Sequence, residues 1–87
     1  MDIFSDWFRD TIQRKGQTYE QAAFALDVSL STCWQWSKGR RTPKVGKLIA
    51  ISQWGGTTVA RLVGAIEKQN EAVEAAKKAA PRAEAAS

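Results

Sequence analysis

Apolar side chains recur at helical spacing near the start of the chain, and they form one stripe of a helix with about 3.6 residues per turn. The residues of this stripe are Ile3, Phe4, Trp7, Phe8 and Ile12. Asp2 precedes the stripe, where a carboxylate can accept hydrogen bonds from the first free N–H groups of a helix. Gly16 follows it, where glycine commonly ends a helix. The pattern predicts a first helix that is capped by Asp2 and ended by Gly16.

The next segment contains a capping box, in which Thr18 and Gln21 can each satisfy a backbone N–H group of the other residue. This motif predicts a short second helix that continues through Leu26. Asp27 and Val28 are expected to form the turn that follows, since Asp tolerates the left-handed backbone conformation better than most residues.

A third short helix is predicted from its cap, Ser29, to about Lys38, and Gly39 is expected to end it. Helical spacing gives this helix two faces. The residues expected to face the core are Val28, Cys33 and Trp36. The residues expected to face outward are Leu30, Ser31, Trp34, Gln35 and Lys38.

Two further helices are predicted. Pro43 is expected at the first position of the fourth helix, which should end before the Gly55–Gly56 pair. The apolar side of this helix is expected to contain Val45, Leu48, Ile49 and Ser52. Thr57 or Thr58 can cap the fifth helix, whose apolar stripe consists of Val59, Leu62, Val63 and Ile66. No run of alternating apolar and polar residues predicts a strand, so the expected fold class is all-α.

The chain changes character after residue 69. From Asn70 onward the only large aliphatic residue is Val73, while the segment is rich in Ala, Glu and Lys, which favour helices. We therefore expect a domain over residues 1–69 and a charged, Ala-rich extension over residues 70–87. The extension should prolong the fifth helix as an exposed rod, fray by Pro81 and end in a disordered tail.

Composition argues against several classes of function. The 87 residues include no histidine and one cysteine, Cys33, so the commonest general base, histidine-based nucleophile pairs and cysteine-based zinc sites are absent. We expect no enzymatic activity, no catalytic residues, no metal and no cofactor, and we interpret Cys33 as a buried apolar residue. No apolar run approaches the roughly 18 residues of a membrane span, so a cytoplasmic protein is expected.

Charge is distributed unevenly along the chain. Residues 28–63 contain six Lys or Arg residues and no Asp or Glu, whereas residues 1–27 carry a net charge of −2 and residues 64–87 a net charge of zero. A purely cationic middle segment is the electrostatic pattern expected of a protein that binds a polyanion.

The second and third helices together have the pattern of a helix-turn-helix, in which the second of the two helices enters the major groove of DNA. Side chains on its outer face suit contact with base edges. Gln35 can pair with adenine, Ser31 can bond to several bases, and Leu30 can touch a thymine methyl group. The basic residues that follow lie where a phosphate backbone would pass, and they are Lys38, Arg40, Arg41 and Lys44.

The segment from Thr18 to Lys44 resembles the Cro and phage-repressor type of helix-turn-helix over 27 residues without a gap. The matching residues are Thr18, Ala23, Leu26, Val28, Ser29, Trp36, Gly39 and Pro43. The resemblance implies a compact five-helix, lambda-repressor-like domain. It also implies base-reading positions at Leu30, Ser31 and Gln35, and phosphate contacts at Tyr19 and Thr32. It further suggests a homodimer on a palindromic operator, acting as a transcriptional repressor of phage or mobile-element origin.

Several residues depart from the pattern of that family. Asp27 replaces the glycine of the turn, and Ala22 replaces a leucine, so Phe24 is expected to supply the missing core volume. Trp34 is a large aromatic residue at an outward position, which favours contact with either the DNA backbone or a partner. The alternative function is a protein-interaction module, such as an antitoxin or adaptor, that binds its partner through Trp34, Phe24 or the C-terminal helix.

Overall fold

The computed structural model describes residues 3–79, and within them it contains five α-helices and no β-strand. The helices are α1 (Phe4–Arg14), α2 (Tyr19–Leu26), α3 (Leu30–Ser37), α4 (Val45–Gly55) and α5 (Val59–Ala79). The prediction of an all-α fold with five helices is confirmed for this part of the chain. None of these helices combines the length and the apolar character that crossing a lipid bilayer requires.

Local hydrogen bonds fix the beginnings of α2 and α3, as the sequence predicts. The Thr18 hydroxyl accepts a hydrogen bond from the Gln21 N–H group over 3.1 Å, and the Gln21 side chain accepts one from the Thr18 N–H group over 2.9 Å. At the start of α3, the Ser29 hydroxyl accepts a hydrogen bond from the Thr32 N–H group over 3.1 Å. Asp27 has φ 57° and ψ 49°, the left-handed conformation that ends α2 and reverses the chain.

The beginnings of α1 and α4 differ from the prediction. Ile3 occupies the N-cap position of α1 without a capping side-chain hydrogen bond, and Asp2 lies outside the described residues. α4 begins at Val45 with Lys44 at its N-cap, so Pro43 is not the first residue of the helix. Lys44 has an extended backbone with ψ 162°, which separates Pro43 from the helix, and Pro43 is buried instead.

Aromatic side chains from α1, α3 and α4 fill the centre of the domain. The centroid of the Phe8 ring lies 5.5 Å from that of Phe4 and 5.7 Å from that of Trp36. Trp54 approaches the same Phe8 ring at 5.5 Å and the Trp7 ring at 6.4 Å. We call these five residues the aromatic cluster. The aliphatic residues buried around it are Ile12, Leu26, Leu48, Ile51 and Leu62.

Three large apolar residues lie outside this core, contrary to the prediction. Phe24 is 88% exposed, Val45 78% and Ile49 59%. The aromatic cluster fills the centre of the domain, and Ala22 is fully buried, so a small side chain fits at that position of α2 and Phe24 points to solvent. The residues that α4 buries are Leu48, Ile51 and Ser52, a stripe that excludes Val45 and Ile49.

Residues of α1 also contact helices that are distant in sequence. The buried side chain of Gln69 in α5 accepts a hydrogen bond from the Ser5 N–H group over 2.7 Å. Arg9 donates a hydrogen bond to the Ser37 carbonyl at the end of α3. Gly55 of α4 lies so close to Trp7 that a Cβ atom at this position would be 2.5 Å from the ring. These contacts hold α1 against α3, α4 and α5.

α5 begins as the sequence predicts, because the Thr58 hydroxyl accepts a hydrogen bond from the Arg61 N–H group over 3.2 Å. Within its predicted apolar stripe Leu62 is fully buried, whereas Val63 is 39% exposed, so Val63 is a fourth apolar residue whose predicted burial is wrong. The partly buried members of the stripe are Val59 and Ile66.

The helix continues without interruption beyond residue 69. Residues 70–75 are all exposed, which agrees with the prediction of an exposed helical extension. The predictions of fraying at Pro81 and of a disordered tail concern positions outside the described residues.

Candidate functional site

The turn between α2 and α3 is held in place by α4. The Lys47 ammonium group donates hydrogen bonds to the carbonyl oxygens of Leu26, over 2.9 Å, and Asp27, over 3.1 Å. The end of a helix leaves such oxygens without intrahelical partners, and its dipole favours a cation there. Lys47 therefore stabilises the turn, a role that its sequence position alone does not reveal.

α3 presents two chemically different faces. The buried side chains of its inner face are Cys33, Trp36 and Ser37. The exposed side chains of its outer face are Leu30, Ser31 and Trp34, of which Leu30 is 46% and Trp34 39% exposed. Gln35 lies half-buried at the border between the two faces. The predicted division into an inner and an outer face is confirmed, with Gln35 less exposed than the other residues of the outer face.

Cationic groups surround the exposed tryptophan of α3. The Lys38 ammonium nitrogen lies 5.4 Å from the centroid of the Trp34 ring, and the Arg40 guanidinium carbon lies 5.2 Å from it. Both distances are within the range of a cation–π interaction. Arg41 donates a hydrogen bond of 3.5 Å to the side-chain oxygen of Gln35. The structure thus brings these five residues into one surface, which we call the basic surface.

The cations next to α3 keep their charge unpaired. The exposed residues in question are Lys38, Arg40, Arg41 and Lys44, the last at the N-cap of α4. Within residues 3–79 none of them forms an ion pair, and the two ion pairs found there join Arg9 to Asp6 and Arg14 to Asp10 on α1. Unpaired cations that lie close together attract anions and polyanions to this side of the molecule.

A shallow recess lies between the start of α2 and the outer face of α3. We call it the α2–α3 recess, and its lining residues are Thr18, Tyr19, Glu20, Leu30, Ser31 and Trp34. It joins Tyr19, a predicted phosphate contact, to two of the predicted base-reading residues. Glu20 also lines the recess, although it is not among the predicted site residues. Its position next to Tyr19 in the first turn of α2 is the feature of the sequence that could have indicated this.

Thr32 is positioned differently from the other predicted contact residues. Its hydroxyl oxygen accepts a hydrogen bond from the Ser29 hydroxyl over 3.0 Å, and the residue is only half-exposed. Thr32 therefore belongs to the cap of α3, at the helix end that carries Leu30 and Ser31.

Cys33 is buried, and burial raises the pKa of its thiol to about 11. The thiol therefore stays protonated at neutral pH and lacks the thiolate form that attacks electrophiles and binds metals. Among residues 3–79, no three Cys, Asp or Glu side chains lie close enough to hold a metal ion.

The chemistry of the site is that of a binding surface. Unpaired cations, an amide, hydroxyl groups and apolar side chains lie next to each other on and around α3, which suits a polyanion that also displays polar and apolar edges. No protein-family model matches the sequence, and no curated protein or solved structure matches it.

Proposed function

We propose that this chain binds double-stranded DNA in a sequence-specific manner, with α2 and α3 acting as a helix-turn-helix. The observation that carries the proposal is the outer face of α3, where exposed Ser31 and the border residue Gln35 adjoin unpaired cations. The opposite face of the same helix is buried against the aromatic cluster. A short helix of this kind fits the major groove, with its first residues against base edges.

In this proposal each group has a distinct role. Ser31 and Gln35 form hydrogen bonds with base edges, and Leu30 contacts a base through its apolar surface. The backbone contacts come from the basic residues Lys38, Arg40, Arg41 and Lys44 and from the side chains of Tyr19, Thr32 and Trp34. Phosphate contacts supply affinity and fix the register of α3, whereas base contacts select the sequence.

We further propose that two copies bind a palindromic operator and that the protein represses transcription by occupying a promoter. The described part of the chain measures 44 × 25 × 23 Å. Half-sites in such operators lie about 34–36 Å apart, and the two shorter dimensions of the described part are below this spacing, so two copies fit on adjacent half-sites when their long axes lie across the DNA. The dimeric repressor and its phage or mobile-element origin are supported by the resemblance of Thr18–Lys44 to the phage-repressor pattern.

Selection of bound sequences from a random duplex library at near-physiological salt tests the proposal. The wild-type protein is expected to enrich a palindrome. Gln35→Ala should relax the preference at one symmetric pair of positions, because an amide paired with a base contributes about 1–3 kcal/mol of discrimination. Gln53→Ala is the matched control, since it removes the same side chain from an exposed position of α4. A library without any enriched sequence would contradict the proposal.

A second candidate function is binding to a protein partner. The exposure of Phe24, Val45 and Ile49 favours this function. Covering large apolar side chains with a partner removes them from water, which makes the free energy of binding more favourable. An antitoxin that represses its own operon would combine both functions, with DNA at α3 and a toxin at another surface.

The dependence of binding on salt separates the two candidates. A dimer that makes six to ten phosphate contacts is expected to lose about 10³- to 10⁵-fold in affinity for DNA between 50 and 200 mM salt. In a plot of the logarithm of the association constant against the logarithm of the salt concentration, Arg40→Ala should reduce the slope by about one for each copy of the protein. Phe24→Ala is the contrasting variant, which leaves the DNA slope unchanged and weakens capture of a protein partner. Binding that resists salt and tolerates Arg40→Ala would support the protein-interaction module instead.

A further inference from the structure

The α2–α3 recess offers ordered apolar surface that stays open to solvent. Tyr19 packs partly against the core, which fixes one side of the recess. Leu30 and Trp34 form the other side with 46% and 39% of their surface exposed. Lys38 and Arg40 lie over the Trp34 ring, 5.4 and 5.2 Å from its centroid. Because these apolar walls are already in place, an apolar group that enters the recess gains burial with little ordering of the protein.

The charges around the recess indicate what kind of group enters it. Glu20 lines the recess, and its carboxylate repels a phosphate. Lys38 and Arg40, on the Trp34 side, attract a phosphate to the neighbouring surface. A nucleic-acid backbone therefore fits beside the recess and an uncharged group of the same ligand fits inside it.

We propose that the α2–α3 recess receives the C5-methyl group of a thymine and thereby reads one thymine in each half-site. This inference rests on the proposed function. In the major groove, the C5-methyl group of thymine is the apolar feature that distinguishes this base from the others. Leu30 contacts the methyl group from α3, and the sides of the Trp34 and Tyr19 rings that line the recess enclose it, while the outer edges of the same two side chains make the backbone contacts of the proposed function.

Replacing single thymines by deoxyuridine tests this inference, since the replacement removes the methyl group and keeps every hydrogen-bonding group of the base. Binding of the selected duplex is measured by fluorescence anisotropy with each thymine replaced in turn. At one symmetric pair of positions, each replacement is expected to weaken binding by about four-fold, the loss that corresponds to one buried methyl group. Other thymines should show no such effect.

Variants of the recess connect the effect to these residues. In Leu30→Ala and Trp34→Ala, the ratio of the two dissociation constants, uracil duplex over thymine duplex, should fall to about one at the same positions, because the walls that bury the methyl group are gone. Val73→Ala is the matched control, since it shortens a similarly exposed aliphatic residue on α5 and should keep the ratio of the wild-type protein. Circular dichroism verifies that each variant is folded.

The outcomes separate this inference from the proposed function. If the duplex is bound specifically but no uracil replacement weakens binding, the inference is overturned while DNA binding stands. The same holds if both recess variants keep the full ratio, because the methyl group is then read elsewhere. If no duplex is bound specifically, the proposed function and the inference fail together.

Discussion

The inner and outer faces of α3 use the same residue type in opposite ways. Trp36 is 4% exposed, and its ring packs edge-on against Phe4 and Phe8 at centroid distances of 6.4 and 5.7 Å. Trp34, two residues earlier, is 39% exposed and has Lys38 and Arg40 over its ring. Successive helical residues are about 100° apart, so positions separated by two point to nearly opposite sides.

This difference shows that residue type does not determine the role of a tryptophan in this chain. Trp36 gains its stabilisation from burial among other aromatic rings. Trp34 keeps a solvent-facing ring whose neighbours are charged, and the backbone contact proposed for it rests on this arrangement. Helical position and the charge of nearby residues separate the two roles.

Alanine substitutions at the two tryptophans are expected to give the largest contrast. Trp36→Ala should lower the free energy of unfolding by about 3–5 kcal/mol, because it removes a buried ring and leaves a cavity in the aromatic cluster. Trp34→Ala should lower it by less than about 1 kcal/mol, since an exposed cation–π contact contributes little. Chemical denaturation followed by circular dichroism measures both values, and equal losses would contradict the description of two different faces.

A smaller effect is expected from adding one methyl group to the core. Gly55→Ala should lower the free energy of unfolding by about 1–3 kcal/mol, because the new Cβ atom would lie 2.5 Å from the Trp7 ring and the packing must shift. Gly64→Ala is the control, since a Cβ atom there meets nothing within 4 Å and alanine favours the helix by about 0.5–1 kcal/mol. Relative to the wild-type protein, the midpoint temperature of thermal unfolding should therefore fall for Gly55→Ala and rise for Gly64→Ala.

The effect that is smallest at neutral pH is expected from the thiol on the inner face of α3. Burial raises the pKa of Cys33 from its ordinary value of 9.0 to about 11 in the folded chain. Deprotonation therefore favours the unfolded chain, and the contribution of this pKa difference to stability is complete below about pH 9 and is lost as the pH rises towards about 11. The difference in unfolding free energy between the wild-type protein and Cys33→Ala should shrink over this range. A constant difference would indicate a thiol exposed to solvent.

The sequence predicts the beginnings of α2 and α3 and the turn between them well, because their determinants are local. The capping box of α2 and the cap of α3 each join residues three positions apart, and the left-handed turn depends on Asp27 itself. Such interactions form between neighbours in the chain, so their spacing is visible without knowledge of the fold.

The sequence predicts α4 less well because apolar residues occur on more than one of its faces. Val45 and Ile49 have helical spacing, yet the packing against α1, α2 and α5 selects Leu48 and Ile51 for burial. Phe24 is exposed for a related reason, since the aromatic cluster supplies the central core from other helices. These outcomes depend on which helices meet, and the pattern of one helix does not contain that information.

The candidate site, too, has features that the sequence predicts and features that depend on the fold. Its cations and its outward residues are recognisable from charge and periodicity, both of which are properties of short segments. The contacts of Lys38 and Arg40 with Trp34, and the inclusion of Glu20 in the α2–α3 recess, depend on side-chain positions in the folded protein. The methyl-reading role proposed for the recess comes from these contacts.

The hydrogen bond between the Ser5 amide and Gln69 has a consequence for the motions of the chain. It joins positions 64 residues apart and is buried, so the Ser5 amide reaches water only when α1 and α5 separate. Fraying of the first turn of α1 would release this proton only by drawing the fully buried Phe4 ring out of the core. The exchange rate of this one amide with solvent deuterium should therefore follow the cooperative opening of the whole domain, although the amide belongs to a residue close to the end of the chain.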